Sequence, residues 1–531
     1  MRKISLSKKD KNLSKKTKII LISLVALVLV AGISILVFLS NYHVYETRVV
    51  EPSCERNGYT ESTCIYCKKI SRTHYTEALG HDYTELKVTK APTEILFGQE
   101  KRECKRCAHT ESYSIEPKTN MKKFYYKGDS FQVNSDMTAI GVLTYSVGGK
   151  SQEYYIKLKY IDSNRSRYIK HDYRITFYTD NTYSEELEVG FMKNQGIPAS
   201  SSWELYGNYY DFYNLRDKVA NELFCDIRES SKKPLINNNL KNKHLTQISH
   251  PILFYLNESF SGVFMLKEPD GDNILNPNSS TDSNTTDQKQ AIVRSRSNCN
   301  ESYFRQVRDP EDSCFSVKYC STEENDWVYE SLNELITFVM ENEGDDFKKG
   351  ISNYLDVDAM IDYMLTVYNT AAADNVARAL TLATYDGKIW TPSVHDINAS
   401  FGMNNDGEVT TLETVMAPSK EKNEKTGEGE PEYIFDSDTN SLLFEKILTC
   451  FYDEFKARYL ELENKVFTTD YIYEKFERLM NDVPYEAYEQ EKEVYSPYYS
   501  KEELKDNLTE FFAVRKNIFD VFFDEGENNG H

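Results

Sequence analysis

Residues 374–402 read DNVARALTLATYDGKIWTPSVHDINASFG, and this stretch carries most of the information about the fold. Two short runs in it, 380–383 and 388–390, have the composition of β-strands. They flank Asp386-Gly387, a dipeptide that favours the tight turn of a hairpin. The stretch therefore predicts a short β-hairpin inside the domain.

One carboxylate lies on each side of this hairpin, Asp374 before it and Asp396 after it. Asp396 stands in a segment that is otherwise apolar apart from His395, and a buried carboxylate requires partners. A structural salt bridge to Arg378 would supply one. Taken by itself, Asp374 is expected to be an ordinary polar residue at the end of a helix. His395 is expected to be a packed, hydrogen-bonded imidazole.

Outward from the hairpin, the N-terminal side is predicted to be rich in strands and the C-terminal side rich in helices. Two polar stretches, 270–290 and 420–432, are predicted to be surface insertions between these strands and helices. The expected fold class is α+β, in two lobes with a ligand cleft between them. The predicted elements are strands 154–160 and 173–178, a helix after Asp211, a hairpin over 252–266, a helix capped by Asp358, and two or three helices over 441–523.

The composition limits the class of protein. The 531 residues carry 63 Lys plus Arg against 84 Asp plus Glu, a net charge of −21, with 40% hydrophobic and 13% aromatic residues. This excludes collagen-like, coiled-coil and wholly disordered chains. Because residues 1–18 are strongly basic, the remainder is even more acidic, which argues against nonspecific binding to nucleic acid. Cations or a basic partner suit it better.

Residues 19–39 form an uncharged run of 21 residues, IILISLVALVLVAGISILVFL. At about 1.5 Å per residue, a helix of this length crosses the roughly 30 Å hydrocarbon core. A signal peptide has a shorter apolar region and a small-residue cleavage site, so an uncleaved anchor is favoured over a cleaved signal. With the basic tail 1–18 inside, residues 40–531 are expected to be extracellular on a single-pass membrane protein.

Five of the ten cysteines fall in residues 40–117, where the chain repeats itself at an offset of 40. The first copy offers Cys54, Cys64, Cys67 and His81, which could surround one tetrahedral zinc as three thiolates and one imidazole. The second copy lacks counterparts of Cys54 and His81. The recurring positions are Pro52, Gly58, Cys64 and Cys67, matched by Pro92, Gly98, Cys104 and Cys107.

Two other interpretations of these cysteines stay open. The two CxxC pairs could form a four-cysteine zinc site, or the thiols could pair as disulfides in an oxidising exterior. The segment resembles the short Cys/Gly-His repeats of Gram-positive surface proteins, and we expect a small, zinc-ribbon-like β module with no catalytic role. Cys299, Cys314 and Cys320 could also form disulfides, in a combination that the sequence does not specify.

Three blocks in the larger region, residues 122–525, resemble the spore coat protein CotH family. The stretch 203–216 is similar to the WxL…D…LR block of that family, and 255–268 to its LNGxYxGVYxLxE hairpin. The stretch 374–402 is similar to its DN…YDGKxW…YDxDxSFG block. The blocks follow one another in the order of the family.

This resemblance implies a two-lobed atypical protein kinase fold, transferring the γ-phosphoryl of ATP to Ser or Thr of a protein with Mg²⁺ or Mn²⁺. By the family pattern Asp374 accepts the hydroxyl proton, and Asp396 holds the metal together with Asn398 at the second position of the DxD pair. The basic residues that correspond to nucleotide-binding positions are Lys170 and Arg174. Glu268 either marks the hinge near the nucleotide or pairs with a basic residue such as Lys170.

The sequence departs from the family where the metal and phosphates are held. The position five residues after Asp374 usually carries Asn and is Ala379 here, which has no oxygen donor. Asn398 replaces an acidic ligand, and the RGNSS turn is changed at 162–166 so that its arginine is lost. Asn375 or Asn369 are nearby substitutes for the missing amide. Arg216 and Asp211 are expected to brace the lobe as an ion pair and helix cap.

Two functions follow. The first is a membrane-anchored extracytoplasmic Ser/Thr kinase acting on a surface or coat protein, and the second is a degenerate pseudokinase that serves as a surface or coat binding and assembly module. A basic, Ser-rich protein partner suits either, and we expect no nucleic acid. Whether the chain is an enzyme is left open by Ala379 and Asn398.

Overall fold

The structure is a computed structural model that describes only part of the chain. The described residues are 14–128, 138–161, 169–195, 197, 199–231, 246–267, 289–403, 418–421, 432–435, 441–495 and 498–528. Glu268 and the changed turn 162–166 lie outside these residues, as do most of the two polar insertions. The chain forms two compact units, residues 1–92 with 97–116 and residues 93–96 with 117–531.

The first unit begins with helix α1, Lys15–Asn41, which contains the predicted apolar run. The hydroxyl of Ser14 caps its start by accepting a hydrogen bond from the backbone N–H of Thr17. Residues 15–38 are long and apolar enough to cross a membrane, and none of this segment is buried within the protein. A signal sequence meets the same requirement of length and composition.

After α1, the first unit contains two small antiparallel sheets of the same design. In each, three consecutive strands pair in chain order, so the repeat in sequence is a repeat in structure. The recurring Gly and Pro pack together: a Cβ on Gly58 would lie 2.7 Å from the Pro52 nitrogen, and one on Gly98 would lie 2.6 Å from that of Pro92. The strands are β1 Tyr45–Val50, β2 Gly58–Cys64 and β3 Ile70–Thr76, then β4 Lys87–Lys90, β5 Gly98–Glu103 and β6 Thr110–Ile115.

The second unit begins with a closed seven-stranded barrel that buries an aromatic core. The strands are ordered β10-β11-β13-β12-β7-β8-β9, and Trp203, Phe177 and Phe254 fill the interior. The predicted strands 154–160 and 173–178 are confirmed as parts of two of these strands. The bounds are β7 Lys123–Gly128, β8 Thr138–Val147, β9 Lys150–Tyr160, β10 Tyr173–Tyr178, β11 Ser202–Tyr206, β12 Ser249–Leu256 and β13 Ser259–Lys267.

Strands β12 and β13 form the hairpin predicted over 252–266. Its turn residues Asn257 and Glu258 have φ values of 48° and 67°, the left-handed conformation that two-residue hairpin turns require. Between β11 and β12 lies helix α2, Arg216–Glu229. As predicted, Asp211 caps it, since one oxygen of its carboxylate accepts hydrogen bonds from the backbone N–H groups of Leu215 and Arg216.

A four-stranded sheet, ordered β15-β14-β16-β17, contains the hairpin predicted from the opening stretch. A disulfide joins Cys299 to Cys314 beside it, whereas the sulfur of Cys320 lies against the hydroxyl of Thr322. A separate two-stranded pair follows. The bounds are β14 Ala291–Ser295, β15 Phe315–Cys320, β16 Thr381–Thr384, β17 Trp390–Ser393, β18 Pro418–Glu421 and β19 Glu432–Phe435.

Eight further helices complete the described part of the second unit. Asp356, and not Asp358 as predicted, caps the helix after 356, with its carboxylate 3.1 Å from the backbone nitrogen of Ala359. Beyond residue 441 there are five helices, instead of the two or three that were predicted. The apolar pattern is divided by a break at Phe451 and by Pro484. The helices are α3 Asp326–Glu341, α4 Gly344–Gly350, α5 Val357–Thr370, α6 Leu442–Cys450, α7 Tyr452–Leu462, α8 Thr469–Asn481, α9 Tyr485–Val494 and α10 Lys501–Asn528.

Candidate functional site

The centre of the candidate site is the segment 395–402, which we call the Asp396 loop. Asp396 itself has a φ of 51°, a left-handed conformation that costs a non-glycine residue energy and is kept only where the surroundings enforce it. Helix α2 holds the loop from one side through its first two residues. Asp217 accepts a hydrogen bond from the backbone N–H of Ile397 at 2.9 Å, and Arg216 donates to the backbone oxygens of Ser400 and Phe401.

The other side of the loop is held by α5 and the segment that follows it. The backbone N–H of Phe401 donates to the oxygen of Thr370 at 2.7 Å. The side-chain amide of Asn375 donates to the backbone oxygen of His395 at 2.9 Å. Since Asn375 follows Asp374 and His395 precedes Asp396, this bond joins the two segments that carry the predicted catalytic and metal-binding carboxylates.

Asp374 lies in a short 3-10 helix, Ala373–Val376, with its side chain 29% exposed. Arg378, considered above as a structural partner of Asp396, instead approaches Asp374, at 3.8 Å from its carboxylate. A contact at this distance and exposure contributes little to stability. The carboxylate of Asp374 is thus partly exposed.

Lys267 at the end of β13 is a site residue that the sequence reasoning missed. Its ammonium group is 1% exposed and lies 2.8 Å from the carboxylate of Asp217. Burial acts to lower the pKa of Lys267, but the charges of Asp217 and Asp396 outweigh it and raise this pKa. Burial likewise acts to raise the pKa of Asp217, and Lys267 with the N–H of Ile397 outweighs it and lowers this pKa. Both groups therefore stay charged.

Lys267 ends a row of charged side chains on the outer face of the barrel. Arg174 is paired in register with Glu204, and Glu204 with Lys267, on three adjacent strands. These residues alternate with interior ones such as Trp203, so they point away from the core. Arg174 lies 2.5 Å from Glu204 and keeps 48% of its side chain exposed. The structure therefore brings Arg174, predicted to bind nucleotide, onto the face that carries Lys267.

Lys170, the other predicted nucleotide-binding residue, has a different environment. Its ammonium group lies 2.8 Å from Glu491 of α9 and donates to the backbone oxygen of Val263, and both charged side chains are almost fully buried. Gly262 makes room for this pair, because a Cβ there would lie 2.3 Å from the Glu491 carboxylate. Lys170 is thus engaged by Glu491, and its contacts join α9 to β13.

The two departures from the family pattern have clear structural surroundings. Ala379 is 7% exposed, and its contacts are made by its backbone: its N–H donates to the backbone oxygen of Asp374, and its carbonyl oxygen accepts from the hydroxyl of Thr381. The side-chain amide of Asn369 donates to its own helix at Leu365 and that of Asn375 to the Asp396 loop. Asn398 accepts a hydrogen bond from the N–H of Ala399. Asp396 and Asn398 each carry a side-chain oxygen at this loop, of the kind that binds a cation.

The four residues predicted to share one zinc do not lie together, which corrects that ligand set. Cys54 and His81 lie with Cys104 and Cys107, whereas Cys64 and Cys67 lie with His43. The reason is the length of β2: seven extended residues span about 20 Å, and they separate Cys54, before the strand, from Cys64 at its end. A four-cysteine site from the two CxxC pairs is excluded by the same grouping.

Comparison with known families identifies the second unit. The model of the family described as CotH kinase protein matches residues 159–518, more than half of the chain. The match includes the barrel strands that carry Arg174 and Lys267, helix α2 and the Asp396 loop. No curated protein matches the chain. The Cys-containing sheets lie outside the matched residues. With the site and the match in the same region, the chain belongs to the CotH kinase protein family.

Proposed function

We propose that this chain is an atypical Ser/Thr protein kinase that transfers the γ-phosphoryl group of ATP to a surface or coat protein. Membership of the CotH kinase protein family supports this function. The observation that carries it is the Lys267–Asp217 ion pair, which fixes the Asp396 loop through Ile397. A lysine on a strand paired with an acid on a helix, beside a metal-binding aspartate, is the set of charges that kinases use.

In this proposal the residues divide the work by position. Asp374, partly exposed, accepts the proton of the substrate hydroxyl. Asp396 and Asn398 would hold Mg²⁺ or Mn²⁺ through a carboxylate and an amide oxygen, the donors that these ions prefer, and the ion would supply positive charge for the phosphates of ATP. Lys267 provides fixed positive charge beside Asp396, and Arg174 offers a half-exposed guanidinium on the same face. Rigid support of the loop from α2 and α5 orients these groups before substrate binds.

The missing ligand favours a second candidate function, a degenerate pseudokinase that acts as a surface or coat binding and assembly module. Ala379 has no side-chain oxygen, and the amide nitrogens of Asn369 and Asn375 donate hydrogen bonds that fix these two side chains within the fold. Positioning and charge neutralisation provide nearly all of the catalysis in phosphoryl transfer, so a lost ligand lowers the rate strongly. The acidic chain, with its net charge of −21, suits a basic, Ser-rich partner in both functions.

Phosphate transfer by the full-length chain in detergent tests the proposal. The chain is incubated with γ-labelled ATP, Mg²⁺ or Mn²⁺, and a basic, Ser-rich peptide. We expect incorporation that is lost in Asp374→Ala and in Asp396→Ala but kept in Asp345→Ala, an exposed acid on α4. Absent incorporation, or incorporation that persists in both site variants, contradicts the kinase. A metal-dependent thermal shift with ATP but no transfer supports the binding module.

Restoring the family ligands gives a gain-of-function version of the same experiment. Asn398→Asp returns the negative charge of the acidic ligand and Ala379→Asn returns a side-chain oxygen, and we expect the double variant to transfer phosphate roughly 10-fold faster or more. An unchanged rate in a variant that binds the metal more tightly contradicts the assigned metal-holding role. Lys267→Met is the corresponding loss-of-function variant, because it removes the charge beside Asp396 while keeping a similar side-chain volume.

We also propose that α1 anchors the chain, with residues 1–18 in the cytoplasm and 40–531 outside. The basic tail and the exposed apolar surface of the helix support this orientation. Protease added to intact cells is expected to digest residues 40–531 and to leave a membrane-bound N-terminal fragment. A mature chain whose N-terminus lies beyond residue 39 contradicts the anchor and indicates a cleaved signal.

A further inference from the structure

The Cys-containing sheets lack the apolar core that strands normally require. Among residues 42–92 and 97–116, all of which the structure describes, not one buried side chain is Leu, Ile, Val, Phe or Tyr. Segments this small usually need a disulfide or a metal in addition to packing. The buried residues are Cys54, Gly58, Glu61, Cys64, Gly98 and Cys104.

Four ligand atoms converge between the two copies of the repeat. The sulfurs of Cys54 and Cys104 lie 3.6 Å apart, and the sulfur of Cys107 lies 3.4 Å from Nδ1 of His81. All four atoms lie within 4.8 Å of one another. With zinc bonds of about 2.3 Å to sulfur and 2.0 Å to nitrogen, a tetrahedral site has edges of about 3.7 Å and 3.5 Å. The separations of 3.6 Å between Cys54 and Cys104 and 3.4 Å between Cys107 and His81 match those edges.

The same separations do not match a disulfide, which joins its sulfurs at about 2.05 Å. A bond between Cys54 and Cys104 would also leave the contact between Cys107 and His81 unexplained. One ion bound by all four groups accounts for both contacts.

Backbone contacts hold the ligand segments together without the ion. The N–H of Leu79 donates to the oxygen of Ser53, which docks the His81 segment beside Cys54. The N–H of Lys105 donates to the backbone oxygen of Asp82 at 2.8 Å, and this bond holds the His81 segment against the second CxxC. Arg106, inside that CxxC, donates from its guanidinium to the oxygen of Gly80 at 3.0 Å. The positions of the ligands are thus fixed by contacts from both copies.

We propose that Cys54, His81, Cys104 and Cys107 form a closed structural Zn²⁺ site that joins the two copies of the repeat. Nδ1 of His81 binds the ion, and its Nε2 faces the carboxylate of Glu55 at 3.5 Å, the outer partner that metal-bound histidines usually have. The N–H of Arg106 points to the sulfur of Cys104 at 3.5 Å and favours its thiolate form. Four protein ligands leave no open position, so the role of the ion is structural.

An incomplete counterpart of this site explains why the ligands come from two copies. Nδ1 of His43 lies 3.4 Å from the sulfur of Cys64 and 3.3 Å from that of Cys67, and the N–H of Ile65 donates to Val44 as Lys105 does to Asp82. Each CxxC therefore takes its histidine from the preceding segment. In the second site, Cys54 comes before His81 in the chain. The residue at the same distance before His43 is Lys16, which lies in α1, and α1 contains no Cys, His, Asp or Glu. Among the described residues the first site has three ligands, His43, Cys64 and Cys67, and we expect it to bind zinc more weakly.

Zinc retention by the full-length chain in detergent tests the proposal, with Cys64→Ser as the matched control for Cys104→Ser. Both cysteines are buried at equivalent positions of the two copies. After dialysis against a chelator, elemental analysis is expected to find one zinc per chain in the parent and in Cys64→Ser, and none in Cys104→Ser. Glu55→Gln is expected to weaken zinc binding about 10-fold. A metal-free parent without reactive thiols, or equal loss in both cysteine variants, overturns the proposal.

A spectroscopic measurement covers the case in which Cys104→Ser does not fold. Cobalt replaces zinc, and its thiolate charge-transfer absorption grows with the number of bound sulfurs. His81→Cys keeps four ligands and is expected to increase this absorption by about a third, from three thiolates to four, in a Co²⁺ complex that remains tetrahedral. An absorption that His81→Cys leaves unchanged excludes His81 as a ligand and overturns the proposed set.

Discussion

The two units of this chain stabilise antiparallel strands by different means. The barrel of the second unit closes around aromatic side chains, with Trp203 and Phe177 completely buried. The two sheets of the first unit bury cysteines, glycines and one carboxylate instead. In the barrel, stability comes from apolar area removed from water, whereas in the small sheets it depends on a few groups of defined geometry. The first kind of structure tolerates many small changes, and the second depends on single atoms.

Removing metal from the first unit is expected to have the largest effect on this comparison. If four ligands replace a core, a strong chelator should unfold residues 42–116 and leave the barrel folded, because the binding free energy of a structural zinc is folding free energy. Hydrogen exchange with mass spectrometry is the measurement, with amides of β2 and β5 losing protection and those of β9 and β10 keeping it. Protection of β2 and β5 that survives complete removal of metal would break the comparison.

Trp203→Ala is the corresponding change in the barrel. The indole is fully buried, packs edge-on against Phe191 at 5.3 Å and donates from Nε1 to the oxygen of Val189. Its loss should lower the free energy of unfolding of the second unit by about 4 kcal/mol, measured by urea denaturation. Zinc retention by the first unit should not change. A loss of zinc in this variant would show that the two units do not stabilise themselves independently.

Substitutions in the buried pair of Lys170 and Glu491 test whether the stability of the second unit also depends on single charged groups, as the stability of the first unit depends on single ligands. Lys170→Met leaves an unpaired buried carboxylate and should cost roughly 3 kcal/mol, while the double variant with Glu491→Leu should recover most of it. Burial raises the pKa of Glu491 and Lys170 opposes this rise, so the single variant is also expected to keep Glu491 protonated to higher pH. Urea denaturation at several pH values measures both. A double variant as unstable as the single one would make the ion pair itself indispensable.

Arg48→Ala should have the smallest effect of the four changes. Arg48 is 73% exposed, and Glu61 keeps its second partner Arg72 at 3.1 Å when Arg48 is removed. Zinc retention and the thermal midpoint should both stay within experimental error. Replacing Arg48 and Arg72 together strips the buried carboxylate of both partners and should weaken the sheet measurably. A clear loss in the single variant would mean that ion pairs, and not ligands, hold the first sheet.

Local patterns in the sequence were sufficient for much of the fold. The hairpin of β12 and β13 follows from alternating apolar residues around Asn257-Glu258, and the hairpin of β16 and β17 from Asp386-Gly387. Both depend on residues within one turn of each other. The cap of α5 was placed at Asp358 instead of Asp356 because two carboxylates two residues apart give the same signal, and the backbone decides between them.

The candidate site was predictable only where a single segment carries it. Asp374 and Asp396 stand out in one stretch, but Lys267 acts through Asp217 across two elements that are distant in sequence. The one available signal was a charged residue ending the largely apolar strand β13. Nucleotide binding by Lys170 stays a prediction, but its contact with Glu491 of α9 was not predictable, because a partner more than 300 residues away leaves no local trace.

The zinc ligands show why a repeat can mislead. An offset of 40 residues assigns each ligand to its own copy, yet β2 separates Cys54 from Cys64, and the site closes between copies instead. The contacts that would have revealed this, such as Lys105 to Asp82, are made by backbone atoms. Backbone atoms are the same at every position, so the sequence does not record which of them meet.

The joining of two copies by one ion has a consequence for biosynthesis. Cys54 leaves the ribosome well before Cys104 and Cys107, and at about 5–20 residues per second the delay is roughly 3–10 s. During that interval Cys54 and Cys64 are both present as thiols, while the partners of Cys54 do not yet exist. Oxidation in that interval would trap a pair that the finished fold keeps apart. If residues 40–531 enter an oxidising compartment during synthesis, slower translation should therefore lower the yield of correctly assembled protein, because it lengthens the time available for oxidation.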